Sequence, residues 1–410
     1  MYLAIKTHFP DNDVNNLIIR QLGYNAYKLW NVANYEMRNW QTLGMDKRPT
    51  WYSQKKALKD NFFYKNLPSQ TAQELLNVLH QAYKSYDSLV KSKKIDNPKP
   101  PRFKQDIVGF KFKQMAIVHN KDEIRLSIPK QLREYLKTQN INVKFIYLKN
   151  KSFSSINNIK EVQIRFVGNV GFETIIVYEN PDMEMLKNNN NFLSIDLGIK
   201  NDVTCFDSTT GTCFILRKFL NITQPINKRI AELQSIYQLQ CKASSIKYKQ
   251  TNAIDALYKK RNNQIENWLH QMTHYIAAYC VKNNINTVIV GDWKNIRKNT
   301  NLGKNNNQKL HAFPFAKFYQ KIEYKLLQHG IILIKQNEAY SSQCSPNSTC
   351  VGKAYAKPSN RKHRGLYKDG MLYNADCVGA YNIYRLYLQN NNIAITPKYK
   401  NLSNPEIMYL

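Results

Sequence analysis

The chain has 410 residues, with 60 Lys plus Arg against 29 Asp plus Glu, a formal net charge of +31. At roughly 100–200 residues per domain that length predicts two or three domains with sizeable cores. The charge lies far beyond the ~2–8 that keeps a small domain soluble, so a polyanion, a nucleic acid first of all, is the expected partner. No apolar run approaches the ~18 residues of a membrane span, and the opening MYLAIKTHFPDND has no signal-peptide core. Both observations argue against a membrane or secreted protein and for a cytoplasmic, nucleoid-associated one. The seven cysteines are scattered without the even spacing of a disulfide framework, which predicts reduced thiols.

Residues 1–9 alternate like a strand, and from Asp13 to about Trp40 the residues Leu17, Ile18, Leu22, Tyr27, Trp30 and Val32 recur near helical spacing. A second helix is predicted from Pro68-Ser69 through Leu75, Leu76, Leu79 and Tyr83 toward Val90, and the two should pack as a helical module. The basic, proline-rich KSKKIDNPKPPRFK (91–104) forces extended backbone and marks a domain junction. From 108 to 180 short β-prone runs follow, VGFKFKQMAIV, EIRLSI, NVKFIYL, EVQIRFV and ETIIVYE, which predict a small barrel. After an Asn-rich spacer at 188–191, strands alternate with helices. They are FLSIDLGI, TCFILRKF, a helix from about 223 to 284, TVIVGDW, a helix near 313–329, IILIKQNEAY and a final helix from 376, the pattern of a mixed α/β domain.

Asp196 follows the apolar run Phe192-Leu193-Ser194-Ile195, so it is a strand aspartate that needs a partner, unless it is only a turn residue bonded to backbone amides. Asp376, in NADCVGAYNI, falls at a helix start, where capping and metal binding are compatible, and Gly379 and Ala380 after it permit close approach to a strand. Two acids far apart in sequence at the edges of apolar elements suit two Mg²⁺ ions about 4 Å apart in phosphodiester cleavage. A third carboxylate is then expected. Cys344 and Cys350 lack the second close pair of a four-ligand zinc site, so no zinc is expected there. Lys99, Arg102 and Lys104, interleaved with Phe103, could grip phosphates and stack a base. Arg361, Lys362, His363 and Arg364, just upstream of Asp376, could guide a scissile strand.

In order and spacing, SIDLGIK, VIVGDW, EAYSSQCS and RGLYKDGMLYNADCVGAYNI resemble the RuvC-type nuclease motifs of TnpB proteins, which insertion sequences encode and which are similar to type V CRISPR effectors. The likeness extends weakly to LPSQTAQ (67–73) and PPRFK (100–104). It implies a multidomain α+β protein. A wedge β-barrel would span 1–12 and 98–186, with a helical recognition module at 13–97. An RNase H-like (RuvC) α/β nuclease domain would follow at 192–390, then a C-terminal tail at 391–410. It also implies a guide RNA, a double-stranded DNA target beside a short flanking motif, and two Mg²⁺ ions. The activity expected is RNA-guided DNA cleavage. The alternatives are a guide-dependent repressor that no longer cuts, and a RuvC-like junction resolvase or transposase.

The sequence departs from the family pattern in three places. The usual glutamate ending the second motif is missing, since the chain has Gly291-Asp292-Trp293. One subgroup places a glutamate at the end of the next strand instead, where this chain has Glu338, so Asp196, Glu338 and Asp376 are the expected Mg²⁺ ligands, with Asp292 as the runner-up for the third. The zinc loop, 344–373, is degenerate, with Cys344 and Cys350 as remnants, and is expected to fold without metal. Val378 stands where Asn is common, a change that removes no carboxylate.

Overall fold

The structure, a computed structural model, describes residues 2–7, 9, 12–93, 95–166, 171–181, 183–198, 200–292, 303–362 and 365–410. The chain divides into two compact units, Met1–Asp182 and Met183–Leu410.

In the first unit β1 (Tyr2–Thr7) alternates exposed and half-buried residues as a strand edge should. Helix α1 (Asp13–Arg38) is capped by Asn12, whose side chain accepts from the Asn15 amide at 2.8 Å. It buries Ile18, Ile19, Leu22, Ala26, Leu29, Ala33 and Met37 on one face. The short helices α2 (Trp51–Ala57) and α3 (Phe62–Lys65), absent from the sequence reading, lead into α4 (Ser69–Ser92). Ala72, Leu76 and Leu79 of α4 join the same core, and Tyr83 donates to Asn34 Oδ1 of α1 at 2.7 Å.

The run VGFKFKQMAIV is not one strand. β2 (Phe110–Lys113) ends in a 3₁₀ turn, Gln114–Ala116, that sends β3 (Ile117–Asn120) into a different sheet. β3, β4 (Glu123–Ser127) and β5 (Phe145–Lys149) pair antiparallel, with α5 (Lys130–Thr138) between the last two. β1, β7 (Phe172–Glu179), β6 (Ile159–Phe166) and β2 form a four-stranded antiparallel sheet in that order. The β-rich segment thus pairs as sheets of four and three strands over one hydrophobic core shared with α1 and α4.

In the second unit β8 (Phe192–Leu197), β9 (Val203–Asp207) and β10 (Thr212–Arg217) form an antiparallel meander. β11 (Thr287–Gly291) and β12 (Ile332–Gln336) add parallel to β8 on its other side. The order, β12-β11-β8-β9-β10 plus one more strand, is that of an RNase H-like sheet. β9 was absent from the sequence reading, and the helix expected from 223 to 284 is two. They are α6 (Phe219–Ala243) and α7 (Asn252–Lys282), separated where Ser245 takes φ 53° and where Thr251 caps the second helix. Helices α8 (Lys304–Ala312) and α9 (Phe315–Leu327) connect to β12, and α10 (Ala375–Asn390) closes the other face. Within the segment read as a degenerate loop, β13 (Arg361–Lys362), β14 (Leu366–Asp369) and β15 (Met371–Asn374) make a small antiparallel sheet.

Residues 391–410 are not a tail. β16 (Asn401–Tyr409) pairs parallel with β10 as the sixth strand, with a register shift in which Pro405 is accommodated, as an edge strand permits. Leu402 is buried against α10's core, and Met408 and Leu410 pack on the opposite face. Deleting residues 401–410 should therefore cost at least ~2 kcal/mol, since burying a single leucine contributes roughly 1.5–3 kcal/mol, and should lower the melting temperature in calorimetry. An unchanged melt would show that the strand adds nothing to the sheet.

Candidate active site

The period-2 alternation of β8 sorts its side chains onto the two faces of the sheet. Leu193, Ile195 and Leu197 enter the core under α7 and α9. Phe192, Ser194 and Asp196 face α10 instead. Phe192 meets Tyr384 and Tyr387, the Ser194 hydroxyl donates to the Ala380 carbonyl at 2.7 Å, and Asp196 lies against Gly379. A Cβ at 379 would collide with Asp196 Oδ2, so the glycine is required by this approach.

At the N-terminus of α10 the cap is Asn374, whose side-chain oxygen accepts from the Asp376 and Cys377 amides at 3.0 and 3.3 Å. Asp376, expected as a possible cap, is thereby free of that duty. Its Oδ2 accepts instead from Asn201 Nδ2 at 2.5 Å, and Asn201 Oδ1 accepts from Arg217 Nε at 2.7 Å. Arg217 can only donate, so it fixes which end of the buried Asn201 amide faces the acid. The next residue, the buried Asp202, accepts from the Lys218 and Phe219 amides at the start of α6, and burial pushes its carboxyl up to about 6. The β8–β9 turn thus serves both the carboxylate and the helix.

β11 and β12 are parallel neighbours, with Gly291 opposite Gln336 and the Asp292 amide donating to the Gln336 carbonyl at 2.7 Å. Gly291 faces the α10 side, 3.2 Å from Ile383 by its implied Cβ position, and a side chain there would run into the Glu338 carboxylate. Glu338 thus lies over the strand end at which the family's usual glutamate is missing. Asp292 is close enough to repel it.

Asp196, Glu338, Asp376 and Asp292 are all half-buried. Burial pushes the Asp196 carboxyl well above the usual range, and Glu338 and Asp376 push it further, while Arg361 opposes them. Burial, then Asp292, pushes Glu338 up to about 7. Burial also raises Asp376, against Asn201, Arg361, Arg217 and Lys200. Burial is the largest cause at all three, with carboxylate repulsion added at Asp196 and Glu338. Among the described residues no three Asp, Glu, His or Cys side chains converge tightly enough to clasp a single ion.

Arg361 is exposed on β13, donates to Ser342 Oγ at 2.9 Å and is felt by both Asp196 and Asp376. Lys362 donates to the Ser359 carbonyl, and His363 and Arg364 lie outside the described residues. In the first unit, Lys99, Arg102, Phe103 and Lys104 are exposed on a strap held to α1. Trp30 and Asn31 donate to the carbonyls of Arg102 and Lys104, Arg38 stacks 4.6 Å from the Phe103 ring centre, and Lys104 lies 4.8 Å over Trp30. Sequence reasoning missed Asn201 and Arg217. Their only signal was a polar residue beside an acid in a tight turn, IKND, and a strand-end arginine.

Two family models match the chain in order. OrfB_IS605, described as a probable transposase, covers residues 175–297, and the Cas12f1-like TNB domain covers 315–383. Among solved structures, a Cas12f1–sgRNA–target DNA complex matches with a TM-score of 0.59 and 16% identity, over 91% of this chain and 83% of that one. The mini-RNA-guided endonuclease CRISPR-Cas phi3 gives 0.42 and 10%, over 98% and 94%. No curated protein matches. Residues 175–297 are thus similar to the OrfB_IS605 family and residues 315–383 to the Cas12f1-like TNB domain, and the chain shares a mixed α+β fold with Cas12f1.

Proposed function

We propose that the chain is an RNA-guided DNA endonuclease that cuts by two-metal hydrolysis at Asp196, Glu338 and Asp376. The observation that carries this reading is that Asp196 of β8 feels the charge of both Glu338, just past β12, and Asp376, at the start of α10, on one face of an RNase H-like sheet. The donor set, all carboxylate oxygen and raised in pKa chiefly by burial, fits hard Mg²⁺. Bound there, the ions would polarise the scissile phosphate and lower the pKa of the attacking water.

The protein's own residues do the rest. Gly379 lets Asp196 approach α10, Gly291 leaves room for Glu338, and Asn201, oriented by Arg217, holds Asp376 at a fixed angle. Arg361 places positive charge at the rim, where it can meet a phosphate. Lys99, Arg102, Phe103 and Lys104 offer a backbone-gripping and base-stacking strap for the guide or its duplex. Removing the hold on Asp376 by Asn201→Ala should lower Mg²⁺ affinity about 10- to 100-fold, the usual effect of losing a partner behind a ligand, with guide and target binding retained. A Mg²⁺ titration of cleavage checks it, and an unshifted half-saturation point would remove Asn201 from the site.

The solved Cas12f1 relative is a complex with sgRNA and target DNA, and a charge of +31 needs a comparable polyanion here. The protein purified with its native locus should carry a discrete RNA that survives moderate salt. Stripped of it, the protein should bind duplex DNA at only roughly 10⁻⁴–10⁻⁶ M with steep salt dependence, and adding the RNA back should restore cutting of a matching sequence. Sequence-specific cutting by RNA-free protein would replace this reading with that of a conventional nuclease. Guide-dependent binding with no cleavage in Mg²⁺ would favour the repressor.

A further inference from the structure

The segment between β12 and β13 is the one that resembles a zinc loop of TnpB proteins, and among the described residues its donor set does not fit zinc. Of its two thiols, Cys344 is fully buried, with its Sγ 3.4 Å from both the amide and the carbonyl of Gly352, and Cys350 is half-exposed. The hairpin β14–β15, which faces the loop, presents hydroxyls and a carboxylate instead. Tyr367 donates to the Gln343 carbonyl at 3.2 Å, Asn347 donates to the Tyr373 hydroxyl at 3.3 Å, and Ser345 donates to Asp369. A four-coordinate site needs nitrogen or sulfur ligands that the described residues of this hairpin lack.

Something else occupies the centre. Asn382 and Arg385, on one face of α10 and 0% and 5% exposed, point into the loop. Asn382 Nδ2 donates to the carbonyls of Ser341 and Cys344 at 2.7 and 2.9 Å. Arg385 Nη1 donates to the Ser345 carbonyl at 3.0 Å and to Asn382 Oδ1 at 2.9 Å, and its Nη2 donates to the Ser348 carbonyl. One turn on, Gln389 accepts from the Val351 amide at 2.9 Å. Four loop carbonyls therefore converge on two side chains that are packed by the core and linked to each other. A guanidinium is a rigid fork that stays charged when buried, so it can gather carbonyl oxygens around a positive centre.

We infer that Arg385, braced by Asn382, is the organising cation of this loop in place of a metal, and that it is a positioning residue for the carboxylate and the arginine at the loop's two ends. The Ser341 amide donates to the Glu338 carbonyl at 3.0 Å, so fixing Ser341 fixes the exit of Glu338 from β12. At the other end, Ser342 accepts from Arg361, and Lys357 donates to the Gln343 carbonyl at 2.8 Å. Because α10 also begins with Asp376, one helix holds one ligand and sets the loop that carries another. This second half rests on the proposed nuclease site. The first half does not.

The test has two arms on the purified full chain with its guide. In the first, the wild type is dialysed against a zinc chelator and its metal content and cysteine labelling are measured. Zinc far below one per chain, with Cys344 still protected from a thiol reagent, is the expected result. Stoichiometric zinc whose removal exposes Cys344 overturns the inference without any variant being made. In the second arm, Arg385→Met should speed labelling of Cys344 about tenfold or more while the core thiols Cys205, Cys213, Cys280 and Cys377 stay protected. Arg385→Lys, which keeps the charge and loses the fork, should fall between. Unchanged Cys344 labelling overturns the organising role. The Mg²⁺ concentration for half-maximal cleavage should rise about 10- to 100-fold in Arg385→Met, as for a residue behind a metal ligand. An opened loop with an unshifted Mg²⁺ response overturns the positioning role. If the wild type binds guide and target but never cuts, the nuclease reading fails while the labelling result still decides the loop.

Discussion

Asp196→Ala or Asp376→Ala should abolish target cleavage, by roughly 10³-fold or more, beyond the loss that follows removal of a single transition-state donor, while guide-dependent DNA binding persists. Asp196 faces α10 from the C-terminal end of β8 and Asp376 sits in the first turn of α10, so losing either removes a carboxylate and none of the exposed lysines and arginines that neutralise phosphate. Cleavage gels and filter binding on the same preparations separate the two effects. Wild-type cutting by either variant would remove that residue from the site. A second measurement separates a ligand from a structural acid. Burial raises both folded-state pKa values above the ~3.9 of an unfolded aspartate. The stability tied to those protons is full below the unfolded value and is lost as pH rises past it. At neutral pH the ionised pair costs stability, so Asp196→Asn should melt higher than wild type in metal-free buffer. A structural acid would give a lower melt instead.

How far the sequence discloses this site follows from what each residue depends on. Asp196 is legible because the apolar run Phe192, Leu193, Ser194 and Ile195 marks its strand, and its face follows from period 2. Asp376 is legible because a capping residue and two small residues mark a helix start packed on a strand. The sixth strand is not legible, since Asn401, Ser403, Asn404 and Pro405 read as loop until β10 supplies a partner edge. β9 is short, and its turn from β8 contains buried polar residues, Asn201 and Asp202, whose partners come from β10, α6 and α10. Arg385 looks from sequence like a solvated helix charge. Only the loop folded over it buries it.

Glu338→Gln should be far more damaging than Asp292→Asn, by about 10²-fold or more, because the amide keeps the packing and loses the charge that balances the ions. The reason lies in the pair of strand ends. β11 and β12 run parallel as neighbours, so a carboxylate at the end of either can reach the same side of the sheet. The family's usual position, at the end of β11, is glycine here, and the Glu338 carboxylate lies where a side chain at 291 would begin. Even Gly291→Ala should therefore impair cutting, since the new methyl group displaces Glu338 without touching Asp196 or Asp376. The converse is the sharper test. Glu338→Ala creates room and removes the charge, and adding Gly291→Glu to it returns a carboxylate from the adjacent strand. The double variant should regain cleavage relative to Glu338→Ala, whereas Gly291→Glu alone, which crowds two glutamates and Asp292 together, should not exceed wild type. A double variant as inactive as Glu338→Ala would separate the two positions. Greater loss in Asp292→Asn than in Glu338→Gln would move the third ligand to Asp292.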